Sequence, residues 1–252
     1  MLWYKSWLET RWRFFIGLGL LICSAMGGVF TYPHFMKLMA SVPMPNLPGR
    51  IGERIHEAVA LAHTYRGFVW SQWWRQNLAQ TGTLFAILLG IASLFSPSRG
   101  ALFTLSLPAS RKRLMGTRAM TGLGELFVIA IIPSLLIPLL APAIGERYNA
   151  GDALVHAACF FVVATTFFCL ALLLSTVFSD PWRPLLITLG IAIVIGIADQ
   201  ILEVPFVGVF RVMSGESWFR SGRLPWLGLA GSIAASAFIY YGALVNLTRR
   251  DF

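Results

Sequence analysis

Residues 154–178 contain no Asp, Glu, Lys or Arg, and an uncharged run of that length, coiled as a helix, matches the hydrocarbon thickness of a bilayer. Five further predominantly apolar runs, at about 14–32, 78–96, 119–140, 185–202 and 224–247, repeat the pattern. The chain is 57% hydrophobic and 12% charged, with a mean hydropathy of +0.70. A soluble domain of this length cannot bury so much apolar surface. The expectation is an all-α, polytopic membrane protein with about six transmembrane helices.

The net charge of +9 does not point to nucleic acid. The basic residues sit in short segments flanking apolar runs, where chain orientation and anionic headgroups account for them. Cys23, Cys159 and Cys169 fall inside apolar runs, so they form neither a disulfide framework nor a CxxC metal site.

The first thirteen residues interleave Trp3, Trp7 and Trp12 with Lys5, Glu9, Arg11 and Arg13. Aromatic residues beside cations suit an amino-terminal interfacial helix at the headgroup level, and no cleavage pattern of small residues follows. The cations before the first span place the amino terminus inside. Residues 33–77 then form a long outer loop. Pro33, Pro43, Pro45 and Pro48 keep its first half irregular, and Ile51, Ile55, Val59 and Ala62 give an amphipathic helix. Trp70, Trp73 and Trp74 close the loop as an aromatic belt, with an outer gate as a second use.

The most basic point is the inner segment 97–118. Leu102, Phe103 and Leu105 form a short apolar run that Pro108 ends, and Arg111, Lys112, Arg113 and Arg118 follow. Deeper in the third span lies Glu125. A carboxylate at that depth needs a partner, and Arg118, seven residues earlier on one helical face, is the expected one. The segment 203–223 holds two apolar patches split by Ser214 and Gly215, which suggests short helices dipping into the outer face. Gly228, Ser232 and Ser236 recur every four residues in the last run, a stripe that lets helices approach closely. Arg249 and Arg250 place the carboxyl terminus inside as well.

No GxxxxGK[ST], HExxH or GxSxG occurs, and the four histidines are scattered. The chain therefore has no P-loop for ATP phosphates and no motif for a zinc or serine hydrolase.

The order of an interfacial helix, about six spans, a long first outer loop, the basic inner sequence SLPASRKRLMGTR, a re-entrant-like stretch and a closing NLTRRDF resembles the permease subunit of ABC-2 type ABC transporters. The resemblance covers essentially the whole chain. It implies one transmembrane domain over residues 1–252, in the cell membrane of a prokaryote, that forms a translocation path for export. It implies a coupling helix at about 98–107, with Ser98, Arg99, Leu102, Phe103, Leu105, Pro108, Arg111 and Arg113 meeting a separate ATPase. ATP and Mg would sit on that partner, present in two copies, beside a second permease of the same or a related kind. Trp70, Trp73, Trp74, Ser214 and Gly215 would gate the outer face. A membrane anchor for a cytoplasmic complex, or an intramembrane enzyme, are the competing classes. An enzyme needs polar residues converging at one depth, and none stand out.

Overall fold

The computed structural model describes residues 2–41, 49, 52, 59–91, 110–178, 180–202 and 208–249, and the regular structure among them is helical throughout, without a strand. Among the described residues five helices are long and apolar enough to cross a membrane: within 2–39, 112–144, 150–177, 182–201 and 226–248.

Helix α1 is continuous from Leu2 to Ser41. At 1.5 Å per residue it is about 60 Å long, roughly twice the apolar thickness of a bilayer. Ser6, Thr10, Leu21, Ala25, Val29 and Tyr32 form its buried stripe, while Phe15, Ile16, Met26 and Phe30 are exposed on the other side. This corrects two boundaries. The stretch 1–13 is not a separate interfacial helix, because Ser6 and Thr10 are buried in the bundle and hold it in line with the first span. Nor does Pro33 start an irregular loop: it lies inside the helix. Tyr32 and Phe35, on either side of it, pack on Phe68 with ring centroids 5.1 Å apart, which holds the turn that lost a hydrogen bond.

The expected second span, 78–96, overlaps a helical stretch that begins earlier, and its residues 92–96 lie outside the described residues. A continuous helical stretch begins as α2 (Tyr65–Val69), widens into a π-helical segment (Trp70–Gly82) and finishes as α3 (Thr83–Gly90). Thr64 caps its start by accepting from the Gly67 N–H at 3.2 Å. At its end Ile91 turns extended. The stretch 33–77, expected as an outer loop, is therefore helical at both ends over its described part. Its expected amphipathic helix falls mostly outside the described residues.

Helix α4 (Arg111–Leu140) starts eight residues before the expected third span, capped by Ser110, whose hydroxyl accepts from Arg113 N–H at 3.3 Å. Part of the inner segment 97–118 is therefore helix. Pro133 and Pro138 lie within α4, which a 3-10 turn (Ala141–Ile144) extends. Then come α5 (Ala150–Val177), α6 (Trp182–Leu202), the short α7 (Val209–Met213) and α8 (Glu216–Ser221), and α9 (Trp226–Arg249). The re-entrant-like stretch is thus two short helices over its described part.

Helix α5 is the hub. It packs on α9, α4, α3, α6 and α7 and buries Phe160, Val163, Ala164, Phe167, Phe168 and Leu172. Glycine sets the approach of its neighbours: a Cβ on Gly122 would lie 2.5 Å from the Phe168 ring, and one on Gly90 would collide with the Phe168 carbonyl oxygen. Close backbone approach around one helix fixes where the polar residues of α1, α3 and α4 can meet.

Candidate functional site

At one end of the bundle two arginines from different helices grip the end of a third. Arg13 of α1 donates to the carbonyls of Leu88 (2.8 Å) and Ile91 (3.1 Å). Arg118 of α4 donates to those of Leu89 and Ile91, both at 3.0 Å. These are the last carbonyls of α3, which have no partner within the helix and carry the negative end of its dipole. Guanidinium groups satisfy them with charge-assisted hydrogen bonds where water is scarce. Arg118 is 1% exposed, so its two carbonyl contacts stand in for part of the hydration that burial removes. The chain leaves this clamp at Ile91 and enters residues 92–109.

The hydrogen bond of Glu125 goes to a residue that its position on α4 did not suggest, while Arg118 and Arg13 act on its carboxylate through charge. Its Oε1 accepts from the Thr10 hydroxyl at 2.6 Å. The Arg118 guanidinium makes its hydrogen bonds to the α3 carbonyls. Nε and Nη1 of Arg118 and Oε2 of Glu125 are buried without hydrogen-bond partners. Hydrogen bonding within α4 alone did not decide the pairing. The end of α3 presents two free carbonyls to Arg118, and α1 presents a hydroxyl to Glu125.

At the opposite end the aromatic run is packed inside the bundle and is not a belt facing lipid. Trp70, Trp73 and Trp74 are 0%, 2% and 1% exposed. Trp70 stacks on Phe219 of α8, with ring centroids 4.6 Å apart and an angle of 8°. Trp74 stacks on His156 at 4.9 Å and donates from Nε1 to the Tyr148 hydroxyl at 3.0 Å. Burial pushes the Tyr148 phenol above its ordinary range, with Asp152 adding in the same direction, so it stays protonated. Asp152 holds Arg66 at 3.3 Å and accepts from Trp218 Nε1 at 3.1 Å. His156 Nδ1 lies 2.8 Å from the Ser214 carbonyl oxygen. The next residue, Gly215, has φ +66°, and a Cβ there would lie 2.6 Å from that nitrogen. The π-helical segment, α5 and α8 are thereby tied together by rings and an ion pair.

Beside this cluster a cavity of about 640 Å³ opens between the π-helical segment, α6 and α7. Arg75, Gln76, Gln80 and Thr83 line one wall. The i→i+5 turn of a π-helix brings residues four and five apart together, so these polar side chains share a face that a run of apolar residues would not reveal. Leu189, Ile193 and Ile197 of α6 line the other wall, and Asp199, Arg211 and Ser214 complete the lining.

The expected site residues are distributed unevenly. Trp70, Trp73, Trp74, Ser214 and Gly215 belong to the aromatic cluster. Gly228, Ser232 and Ser236 lie on α9 where it meets α7 and α5: a Cβ on Gly228 would collide with Val212, and Thr166 hydrogen-bonds to the Ser232 carbonyl (3.2 Å) and the Ser236 hydroxyl (3.0 Å). Arg113 is exposed near the start of α4. Ser98, Arg99, Leu102, Phe103, Leu105 and Pro108 lie outside the described residues. Arg13, Arg75, Thr10 and Phe219 were not anticipated. Only the polar residues Arg75, Gln76 and Gln80, following directly on three tryptophans, could have signalled one of them. Among the described residues no group of three His, Cys, Asp or Glu could hold a metal ion. No protein-family model, curated protein or solved structure matches the chain.

Proposed function

We propose that this chain is the permease subunit of an ABC-2 type transporter, forming part of an export path and driven by a separate ATPase. The double arginine clamp at Ile91 carries the reading. The stretch 92–109 follows a point bonded to α1, α3 and α4 together and precedes the cations Arg111, Lys112 and Arg113, so a push transmitted through it to Ile91 displaces three helices as one body. A loosely attached loop would dissipate the same push in its own bending. In this reading the stretch 65–90 is a sixth crossing, both termini are cytoplasmic, and the chain lies in the plasma membrane of a prokaryote. ATP and Mg belong to the partner, in two copies, and a second permease completes the path. Trp70, Trp73, Trp74, Ser214 and Gly215 serve as the outer gate, since a permanently open path would dissipate ion gradients.

A photo-crosslinking amino acid at position 103 tests the assignment in intact membranes. Capture of a polypeptide carrying GxxxxGK[ST] is the expected result. Crosslinks to lipid alone would remove the basis for ATPase coupling.

A further inference from the structure

The cavity between the π-helical segment, α6 and α7 combines two chemistries that one kind of ligand satisfies. Arg75, Gln76 and Gln80 are exposed, whereas Trp73, Trp74, Leu78 and Ala79 around them are buried. Polar side chains in a helical stretch packed among apolar helices must face a wet cavity or a polar ligand, because acyl chains offer them nothing. Facing them across the cavity, Leu189, Ile193 and Ile197 recur at helical spacing on α6, and Ile193 and Ile197 are 54% and 53% exposed.

The charged groups around the cavity differ in what they meet. Asp199 is fixed in place, since its Oδ2 accepts from the Phe210 N–H at 2.6 Å and its carbonyl from Arg211 at 3.4 Å. Arg211 lies 3.9 Å from Glu216. Arg75 has no carboxylate partner among the described residues, and its guanidinium lies over the Trp70 ring, 5.7 Å from the centroid. One cation on the polar wall is therefore left to a ligand.

We propose that this cavity binds a single anionic amphiphile, with its acidic group on Arg75 and the Gln76 and Gln80 amides and its chain along Leu84, Leu189, Ile193 and Ile197. The volume falls within the range of small-molecule sites. A free phosphate would use Arg75 and leave the α6 wall bare. A zwitterionic headgroup would set its cation against the Asp199 carboxylate, which also lines the cavity, and equal retention of an anionic and a zwitterionic lipid is the outcome that would favour it. The proposal concerns binding by the isolated chain, so it stands apart from any ATPase.

The test is native mass spectrometry of the purified chain from micelles holding equal amounts of phosphatidylglycerol and phosphatidylcholine, without nucleotide. One phosphatidylglycerol is retained in preference. Arg75→Gln lowers that retention about tenfold, as expected for losing a charge-assisted hydrogen bond, and Arg75→Lys restores most of it. Ile193→Trp, which fills the apolar side and keeps the cation, lowers it as well, and glycerol phosphate does not compete. Unchanged retention in Arg75→Gln, or equal retention of both lipids, overturns the proposal. Competition by glycerol phosphate as strong as by the lipid would overturn it in favour of a free-anion site. Disulfide crosslinking of two chains in the Ile193→Cys variant, with no lipid retained by the native chain, would overturn it in favour of a contact between copies.

Discussion

Arg13 and Arg118 sit 105 positions apart in sequence on α1 and α4, yet both donate to the carbonyl oxygen of Ile91, at 3.1 and 3.0 Å. A shared acceptor couples two helices through the end of a third, and it makes the two arginines partly redundant at Ile91 and independent elsewhere.

Replacing Arg118 by Met should therefore destabilise the protein by about 2–4 kcal/mol, since it leaves the Leu89 carbonyl without a partner in a buried site. Arg13→Met should cost less, because Arg118 still holds Ile91 and Arg13 is less deeply enclosed. Thermal unfolding in one detergent, followed for both variants and the double variant, measures the difference. A double variant that costs more than the sum of the two single changes is the signature of the shared acceptor.

Thr10→Val removes the donor to Glu125 Oε1 and should cost about 1–3 kcal/mol. Adding Glu125→Leu should recover part of that loss, because the buried carboxylate left behind is what makes the single change expensive. Chemical denaturation of the two single variants and the pair in mixed micelles checks this. A pair no more stable than Thr10→Val alone would mean that the contact between α1 and α4 is not what holds Glu125.

Glycines on the α5-facing surfaces should respond oppositely to those facing outward. Gly122→Ala forces a methyl against the Phe168 ring and should cost about 1–3 kcal/mol. Gly124→Ala, with nothing within 4 Å of the new methyl, should be neutral or stabilise by about 0.5–1 kcal/mol through helix propensity. Melting temperatures of the two variants, two residues apart on one helix, separate packing from propensity.

If the aromatic cluster gates a path, tethering Trp70→Cys to Phe219→Cys with a short thiol crosslinker should block transport and leave partner assembly intact. Those rings stack at 4.6 Å, so the two segments are already in register. Undiminished transport with the tether in place would leave the cluster with a purely structural role.

Apolar runs bounded by charge are what a bilayer selects, and five of the expected runs fall on the five long apolar helices, although α1 extends twelve residues before and nine after its run. The stretch 65–90 was less legible. Arg75, Gln76 and Asn77 read as the end of a loop, yet Arg75, Gln76 and Gln80 form a wall of a cavity while Trp70, Trp73 and Trp74 take the buried side. Period-four expectations fail there because the turn is π-helical. The Trp residues misled in the same way: at a membrane they suggest a belt, and only the approach of α8 and α5 shows that they are enclosed. Residues that pair across helices were the least legible. Arg118 and Glu125 look like partners on one helix, but their hydrogen bonds go to α3 and α1, which no local spacing encodes.

The most direct test of the proposed function is affinity purification of the chain in mild detergent, beside the variant carrying Phe103→Asp and Leu105→Asp, with co-purifying proteins identified by mass spectrometry. The account predicts that an ATPase containing GxxxxGK[ST] travels with the native chain and is lost, or loses coupling of hydrolysis to transport, in the variant. A native chain that brings down no such ATPase, or a variant whose complex and coupling are unchanged, would contradict it.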